Sequence, residues 1–281
     1  MNRPRILAAA ILAGLIATAV VFAILRLTHT SFPADPNATD LAARLTAPGA
    51  GHWLGTDHLG RDVLARLLHG SYVSLSVGLA AVILELAIGI PLGALAGYVG
   101  GRTDAILMRL TDAVLCFPSF FLILTAVAIM GPGVTTIIIV IGLVAWTRAA
   151  RLVRAEFLSL RESGYVTAAR ALGQGTRAIL FRHILPNAAA PILVTAVLGV
   201  PEAILIESGL SFLGFGVQPP TATWGSIVAD GKPYLLDAWW LILFPGAAIL
   251  ITTLAFQILA RMGKVEIRVC EKSAAGLRGD N

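Results

Sequence analysis

Residues 73–98 read VSLSVGLAAVILELAIGIPLGALAGY and contain a single charged residue, Glu85. A helix needs about 20 predominantly apolar residues to cross the hydrocarbon core of a bilayer, and this stretch is long enough. Inside lipid, a lone apolar segment can satisfy its backbone hydrogen bonds only as a helix. The stretch therefore predicts a membrane-spanning α-helix.

Five more stretches of the chain have the same character. The predicted spans are residues 6–25, 73–98, 105–130, 135–152, 188–208 and 239–260. Of the 281 residues, 57% are hydrophobic and 13% are charged, whereas soluble domains carry about 25% charged residues. Because lipid would cover most of the exterior, this deficit indicates an all-α integral membrane protein with six transmembrane helices.

The amino terminus combines Arg3 and Arg5 with the apolar run 6–25, a pattern shared by signal peptides. The triplet Ala17-Thr18-Ala19 resembles a cleavage site, but the apolar run continues beyond it and is long enough to span a bilayer. We therefore interpret the run as an anchor. The predicted organisation is an anchor helix and periplasmic segment (1–70), a transmembrane domain (71–262) and a cytoplasmic tail (263–281).

Six spans place both termini on the same side of the membrane, and the basic residues indicate which side. With the termini inside, the internal segments hold most of the 21 lysines and arginines, including those from Arg148 to Arg182. Cytoplasmic loops carry an excess of such residues, so both termini are predicted to be cytoplasmic. Residues 62–68, at the end of the outer segment 26–70, are predicted to form a short interfacial helix.

Glycines recur every four residues along the second predicted span, at Gly89, Gly93, Gly97 and Gly101. Residues four apart share one face of a helix, and small residues on that face allow another helix to approach closely. The strip is expected to pack against protein, either within the subunit or at an interface with a second subunit.

Residues 148–187 form an inner loop that is too long for a simple connection. Its centre reads YVTAARALGQG (165–175), with an apolar face that its alanines keep slim. Gly173 is predicted to end this helix in the left-handed conformation. A second short helix is predicted to run to His183, and Pro186 to open the next span. Such an elbow suits a groove on a partner protein or, alternatively, the membrane surface beside its own helices. The predicted apolar face consists of Tyr165, Ala168, Ala169 and Leu172.

The same loop resembles the coupling motif of permeases from binding-protein-dependent ABC importers. That motif is Glu-Ala-Ala, three residues, Gly, nine residues, Ile, any residue and Leu-Pro. Thr167 replaces the usual Glu and His183 the usual Ile. The form HILPN at 183–187 is similar to the dipeptide, oligopeptide and nickel branch of the family. The matching residues are Thr167, Ala168, Ala169, Gly173, His183, Leu185 and Pro186.

Three further stretches of the sequence resemble that branch of the family. Together with the loop they occur in the order of the family and on the expected sides of the membrane, which makes the resemblance specific. Together they cover residues 52–261. They are LGTD and LGRD at 54–57 and 59–62, MRLTD and FP at 108–112 and 117–118, and GLSFLGFG, PP and WG at 209–216, 219–220 and 224–225.

The resemblance implies a type I ABC importer permease fold with a cytoplasmic coupling elbow. The implied partners are a sibling permease, two ABC ATPase subunits, a periplasmic or lipid-anchored substrate-binding protein and membrane lipids; no nucleic acid is expected. ATP and Mg would be bound by the ATPase subunits, and this chain is expected to hold no cofactor. The residues implied to contact the ATPase are Tyr165, Thr167, Ala168, Ala169, Leu172, Gly173, His183, Leu185 and Pro186.

Acidic residues within the predicted spans point to the translocation path. A charge at the bilayer centre costs about 2.5–3.5 kcal/mol on insertion scales, so such residues are expected to face protein or a water-filled path. The candidates for the pathway or its gate are Asp112, Phe117, Pro118, Glu202 and Glu207. The resemblance also implies that the outer loop contacts the binding protein through Ser211, Phe212, Gly214, Pro219, Pro220 and Trp224.

The sequence lacks a GxxxxGK[ST] phosphate-binding loop, which excludes an ATPase of that class within this chain, and it offers no residue set for catalysis. No stack of histidine or cysteine ligands occurs in the spans, so no metal site is predicted. We predict a permease subunit that forms half of a path for di- or oligopeptides. The alternatives are a permease for nickel or a metal chelate, a stand-alone secondary transporter or channel, and a membrane-embedded assembly factor.

The predicted orientation can be tested with the two cysteines, Cys116 in a predicted span and Cys270 in the predicted cytoplasmic tail. In intact cells, Cys270 should react with a membrane-permeant thiol reagent and resist an impermeant one, while Cys116 should react slowly with polar reagents. A Cys116→Ala variant isolates the signal of Cys270. Labelling of Cys270 by the impermeant reagent from outside would reverse the orientation.

Overall fold

The structure, a computed structural model, describes the backbone of residues 35–276 and the side chains of residues 35–261. This part of the chain is helical and contains no β-strand. The predicted anchor at residues 6–25 lies outside the described residues. In chain order the helices are α1 (Val63–Val99), α2 (Gly101–Leu115), α3 (Ser119–Met130), α4 (Val134–Arg161), α5 (Gly164–Ala171), α6 (Thr176–Phe212), α7 (Trp224–Gly231) and α8 (Trp240–Gly276).

Four helices of the described part are long and apolar enough to cross a bilayer, namely α1, α4, α6 and the portion Trp240–Arg261 of α8. These helices confirm the predicted all-α membrane fold. α2 and α3 together would make a fifth span, but they meet at a bend of 79°. The four spans coincide with the apolar stretches predicted at 73–98, 135–152, 188–208 and 239–260.

The prediction of one continuous helix at 105–130 is wrong, because the chain breaks at residues 116–118. Pro118 disfavours the helical conformation at Phe117, and Pro118 itself has an extended ψ of 119° before α3 begins. Cys116 is consequently exposed at the bend rather than enclosed within a helix.

α1 and α4 pack closely because glycines on α1 leave room for the backbone of α4. A Cβ added at Gly93 would lie only 2.4 Å from the carbonyl oxygen of Ala150, a separation that real side chains do not reach. Gly89 and Gly97 lie equally close to α4. The glycine strip therefore packs within the subunit. Gly101 does not belong to it, since it opens α2 and nothing lies within 4 Å of an added Cβ there.

Two apolar cores complete the bundle. α6 packs against α1 and α8 through residues such as Val82, Val197 and Phe256. α1, α3 and α4 share a second core that includes Ile123 and Ile137. Lipid chains are as apolar as these side chains, so the helices associate in the membrane mainly through close van der Waals packing.

α1 begins at Asp62, whose carboxylate accepts a hydrogen bond of 2.9 Å from the N–H of Ala65 as an N-cap. The helix then continues without interruption to Val99. The interfacial helix predicted at 62–68 is therefore the first part of α1 rather than a separate element. The predicted boundaries at residues 70 and 262 likewise fall inside helices α1 and α8.

The inner loop predicted at 148–187 is shorter than expected because helices continue into it from both sides. α4 extends to Arg161, so Arg148 belongs to a long helix and not to a free loop. α6 starts at Thr176 and continues beyond His183 and through Pro186, so the second short helix predicted to end at His183 is wrong.

The α1–α4 contact can be tested with Gly93→Ala. In a helix interior, Gly→Ala is normally stabilising by about 0.5–1 kcal/mol, whereas overpacking costs about 1–3 kcal/mol. The midpoint of thermal unfolding in detergent should therefore fall. Gly246→Ala in α8 is the matched control, because nothing lies within 4 Å of an added Cβ, and its midpoint should stay or rise. Equal midpoints for the two variants would contradict the close approach.

Candidate functional site

One end of the molecule carries an elbow formed by α5 and the start of α6. α5 ends in a Schellman turn, in which the N–H of Gln174 donates to the carbonyl of Ala169 (3.1 Å) and the N–H of Gly173 to that of Arg170 (2.9 Å). Gly173 has a φ of +77°, in the left-handed region that the sequence predicts. A side chain would be strained at this φ, so glycine allows the chain to turn into α6.

A small apolar core fixes the elbow to α4. Val166 and Ala169 of α5 are buried in one cluster with Ile179 and Ile184 of α6 and Phe157 of α4. Ala169 therefore faces inward, and its predicted place on the outward apolar face is wrong. The elbow is therefore packed onto α4 and is not a free loop.

The outward side of the elbow exposes apolar side chains. Leu172 is 80% exposed, and Tyr165 and Ala168 are exposed as well. Phe181, on the first turns of α6, is 69% exposed and was missed by the sequence interpretation. Its sequence signal, an aromatic residue between Leu180 and Arg182, does not distinguish an inward from an outward position. We call Tyr165, Ala168, Leu172 and Phe181 the elbow ridge.

A π-helical turn at Ile179–Ile184 carries α6 past Pro186. In this turn the N–H of Leu185 donates to the carbonyl of Leu180, five residues earlier. Proline lacks an N–H and clashes with the carbonyl four residues before it. The wider turn relieves this conflict and lets the helix continue. Pro186 is exposed and Leu185 partly buried on this segment.

His183 ties the turn after α5 to α6. Its Nε2 lies 2.7 Å from Oε1 of Gln174, and its carbonyl accepts a hydrogen bond of 2.5 Å from Nδ2 of Asn187. Thr167, the other departure from the coupling motif, is exposed, and its hydroxyl donates to the carbonyl of Ser163 (3.2 Å). Both unusual residues therefore have local partners on the elbow.

A cavity of about 70 Å³ lies beside the bend between α2 and α3, with walls from α2, α3, α4 and α6. Its lining is mostly apolar and includes two charged residues, Arg148 and Glu202. Among the predicted pathway residues, Glu202 thus lies in the cavity wall. Phe117 and Pro118 are at the bend itself, where Phe117 is exposed.

Three arginines of α4, spaced three residues apart, each pair with an acid on another helix. The sequence interpretation counted these arginines only as cytoplasmic charge and missed their partners. Asp112, predicted for the pathway, is engaged in one of these pairs and is not part of the cavity wall. The pairs are Arg148 with Glu202 of α6, Arg151 with Asp112 of α2, and Arg154 with Asp104 of α2.

Glu85 of α1 brings a third charged side chain toward Arg148 and Glu202. It is 4% exposed and lies within electrostatic range of both residues. A Cβ added at Gly199 would lie 3.3 Å from Oε2 of Glu85, so the absence of a side chain at Gly199 makes room for this carboxylate. Glu85, Arg148 and Glu202, from three helices, form the central charge cluster.

Glu207 is completely buried and links α6 to α7. Its Oε1 accepts hydrogen bonds from the hydroxyls of Ser211 (2.7 Å) and Thr223 (2.8 Å). Thr223 also caps the amino terminus of α7 in a capping box with Ser226. The structure therefore gives Glu207 a bonding role between two helices and leaves it no surface toward a path.

The outer loop after α6 is partly buried, which changes the predicted contacts with a binding protein. The ring N–H of Trp224 donates to the carbonyl of Leu67 (3.2 Å), and its backbone N–H donates to the hydroxyl of Ser74 (3.1 Å). Burial excludes Trp224 and Ser211 from direct contact with a partner in this conformation. The predicted contact residues that remain exposed are Phe212, Gly214, Pro219 and Pro220.

An ion-pair network at the start of α1 joins the segment before α1 to α7. Nε of Arg61 lies 2.6 Å from Oδ2 of Asp57, and Nη2 of Arg66 lies 3.1 Å from Oδ2 of Asp230. Burial raises the pKa of the Asp230 carboxyl above its ordinary value, because desolvation outweighs the attraction of Arg66.

Within the described part of the chain, one group of three acidic and histidine side chains has the spacing of metal ligands, and it belongs to this network. Asp57, His58 and Asp230 each offer a ligand atom, and these atoms lie within 4.8 Å of one another. Arg61 and Arg66 already neutralise both carboxylates. The geometry therefore favours an internal ion-pair network over a bound cation.

A family model described as "Binding-protein-dependent transport system inner membrane component" matches residues 89–263. The chain belongs to this family. It is accordingly an inner-membrane transport subunit of an ABC importer and not an enzyme, and it works with ATPase and substrate-binding partners. Family membership sets aside the stand-alone transporter and the assembly factor.

Relatives with substantial identity extend over most of the chain. A putative peptide transport system permease protein of Brucella suis is 46% identical over 224 residues, which are 80% of this chain and 75% of that protein. The probable D,D-dipeptide transport system permease protein DdpC of Escherichia coli is 44% identical, with the same coverage. The oligopeptide transport system permease protein OppC of Bacillus subtilis is 41% identical, covering 80% of this chain and 73% of that protein.

Solved ABC transporters show the same fold at low identity. One inward-facing structure of the methionine transporter MetNI matches with a TM-score of 0.60 at 17% identity, covering 72% of this chain and 97% of that one. An amino acid ABC transporter crystallised with histidines matches with a TM-score of 0.57 at 16% identity, covering 73% and 94%. These matches confirm the type I importer permease fold.

The outer network can be tested with Asp57→Asn, which removes a charge that Arg61 and Arg66 both approach. Loss of one partner of a buried ion pair costs about 3–5 kcal/mol, whereas an exposed pair contributes about 0–1 kcal/mol. Asp112→Asn, in a half-exposed pair with Arg151, is the matched control. The thermal midpoint in detergent should fall far more for Asp57→Asn. Equal falls would show that the buried network stabilises no more than a surface pair.

Proposed function

We propose that the chain is a permease subunit for peptide import and that the elbow ridge couples it to its ATPase. The coupling role is supported by the exposed apolar ridge on an elbow whose opposite side is packed onto α4. Exposed apolar side chains concentrated on a rigid element mark a site of protein interaction. The peptide assignment is supported by the names of the relatives at 41–46% identity.

In this proposal, the motion of the ATPase enters through the elbow ridge and continues along α4. The core of Val166, Ala169 and Phe157 joins the elbow to α4, and α4 packs against α1 and pairs with α6 and α2. ATP can drive alternating access only if it stabilises one arrangement of these helices over the other. The remaining coupling residues, Gly173 and His183, set the turn that presents the ridge.

We propose that a sibling permease supplies the other half of the path. The cavity beside Arg148 and Glu202 is about 70 Å³, while ligand pockets usually measure about 300–1,000 Å³. Both side chains are nearly half exposed, so a second subunit facing them would complete a larger passage. Two ATPase subunits would bind ATP and Mg at the cytoplasmic side, where both termini of this chain would lie.

The substrate-binding protein would dock on the opposite side, at the outer surface after α6. Phe212, Gly214, Pro219 and Pro220 are exposed there, and Lys232 stacks its ammonium 4.7 Å from the ring centroid of Phe212. An apolar surface with one ordered cation is suited to a partner that carries acidic and apolar groups. Thr223 and Glu207 hold α7 beneath this surface.

A nickel or metal-chelate importer is the alternative within the same family. The group with metal-ligand spacing, Asp57, His58 and Asp230, lies outside the spans and is neutralised by arginines. The central cavity presents a guanidinium, which repels a free cation, beside a carboxylate. This wall suits a substrate that carries both signs of charge, and it favours peptides.

Reconstitution tests the substrate assignment directly. Proteoliposomes that contain this chain, the sibling permease, the ATPases and the binding protein should accumulate a radiolabelled dipeptide only when ATP is supplied on the ATPase side. The same vesicles should not accumulate a nickel chelate. Uptake of the nickel chelate without uptake of the dipeptide would overturn the peptide assignment.

Leu172→Asp tests the coupling surface. Leu172 is 80% exposed, so its replacement should leave insertion and folding unchanged while placing a charge in the ATPase groove. An apolar anchor at an interface contributes about 2 kcal/mol or more, so co-purification of the ATPase should fall about thirtyfold. Leu236→Asp, at a 95% exposed outer position, is the matched control and should retain the ATPase. Normal co-purification with Leu172→Asp would remove the ridge from the mechanism.

A further inference from the structure

The pair of Arg148 and Glu202 joins two helices that are long and apolar enough to span a membrane, α4 and α6. Arg148 follows the apolar first half of α4, and Glu202 lies within α6 just after Pro201. Both side chains are nearly half exposed, and ion pairs with that exposure contribute about 0–1 kcal/mol to stability. Stability alone is therefore a poor reason for this pair, and charged residues within spans usually serve a substrate or ion path.

Accessibility separates this pair from the other charges around it. The side chains of Arg148 and Glu202 are 46% and 45% exposed and both line the cavity, whereas Glu85 is 4% exposed. Arg154 and its partner Asp104 are not part of the cavity wall. Within the described part of the chain, Arg148 and Glu202 are thus the charged side chains of this wall, and a small molecule entering the cavity meets one cation and one anion.

We propose that Arg148 and Glu202 recognise the two charged ends of a peptide inside the path. Arg148 binds the carboxylate of the peptide, and Glu202 binds its ammonium group. This inference rests on the peptide import proposed above. It adds the residues of this subunit that select a peptide whose amino and carboxyl ends are both free. A guanidinium presents its N–H donors in the fork that a carboxylate accepts, which suits Arg148 to this role.

Charge balance supports an exchange of partners. In the structure, Arg148 donates to both carboxylate oxygens of Glu202 through Nη1. When a zwitterion enters, one internal ion pair is replaced by two pairs with the substrate, and no charge is left without a partner. A peptide blocked at one end leaves either Arg148 or Glu202 without a substrate partner, which is costly in this environment.

Glu85 lies buried behind this wall, in the space left by Gly199. The pair of Arg148 and Glu202 also joins α4 to α6 beside the cavity, so its opening removes one link between two helices that border the small cavity.

Binding measurements on the purified permease–ATPase complex test the inference. The binding protein is omitted so that its own selectivity does not affect the measured affinities. The ligands are dialanine, N-acetyl-dialanine (carboxylate only) and dialanine amide (ammonium only). Affinity is read from the rise in the thermal midpoint over a concentration series, since a ligand stabilises the state that binds it. Wild type should bind dialanine more tightly than either blocked form.

The expected pattern differs between the two variants. Glu202→Gln should weaken dialanine and the amide about tenfold to a hundredfold and should not weaken N-acetyl-dialanine, because Arg148 then no longer has to leave Glu202 to bind a carboxylate. Arg148→Gln should weaken dialanine and N-acetyl-dialanine by the same range and should not weaken the amide, because Glu202 is then free of its internal partner. Arg148→Lys and Glu202→Asp, which keep the charge, should restore part of the lost affinity. Arg154→Gln, which breaks a pair outside the cavity wall, is the control and should not change the ranking of the three ligands.

Two outcomes would overturn the inference. One is equal weakening of all three ligands in both variants, which would make the pair a packing element. The other is a wild-type complex that binds the blocked and unblocked dipeptides equally or not at all. A separate measurement, the uptake of dialanine by wild-type proteoliposomes that contain the binding protein, distinguishes the proposal of peptide import from the proposed role of Arg148 and Glu202. If uptake occurs and the ligand pattern fails, peptide import stands and the role of Arg148 and Glu202 falls.

Discussion

The close contact between α1 and α4 is the interaction on which the rest of the structure depends. Helices in lipid gain little from the hydrophobic effect, so their association relies on how near their backbones come. Gly93 lets α1 reach the backbone of α4 at Ala150, and no other residue could occupy that position without displacing one helix. α4 then carries both the central Arg148 and, at its inner end, Phe157, to which the elbow is packed.

The charged residues of the described part serve two different purposes that their burial distinguishes. Asp57 and Arg61 are buried, satisfy each other and hold the segment before α1 in place. Arg148 and Glu202 remain half exposed beside a cavity and are open to a substrate. The same types of residue thus act as fixed supports where they are buried, since a low dielectric makes an unpaired charge costly there, and as an accessible pair beside the cavity.

Much of the architecture could be predicted from local sequence. Hydropathy located four of the spans because bilayer thickness sets the length of an apolar helix. Gly173 was predicted as a left-handed helix end because that conformation strongly favours glycine. The break at Pro118 was missed, since the apolar stretch continues through it and hydropathy does not detect a bend. Ala169 and Trp224 were assigned to contact surfaces, yet Ala169 is buried in the core between the elbow and α4, and Trp224 is buried against α1.

The sequence by itself determined that this is an all-α membrane protein, where four of its spans lie and how the elbow turns, because these follow from the composition and spacing of nearby residues. Tertiary structure alone decided that the glycine strip meets α4, that Glu202 pairs with Arg148 and that Glu207 bonds to Thr223. A helical pattern specifies which residues share a face, but not which other helix that face meets. The partner of each charge therefore depends on how helices distant in sequence pack together, and this packing decides which charges are buried and which can reach a substrate.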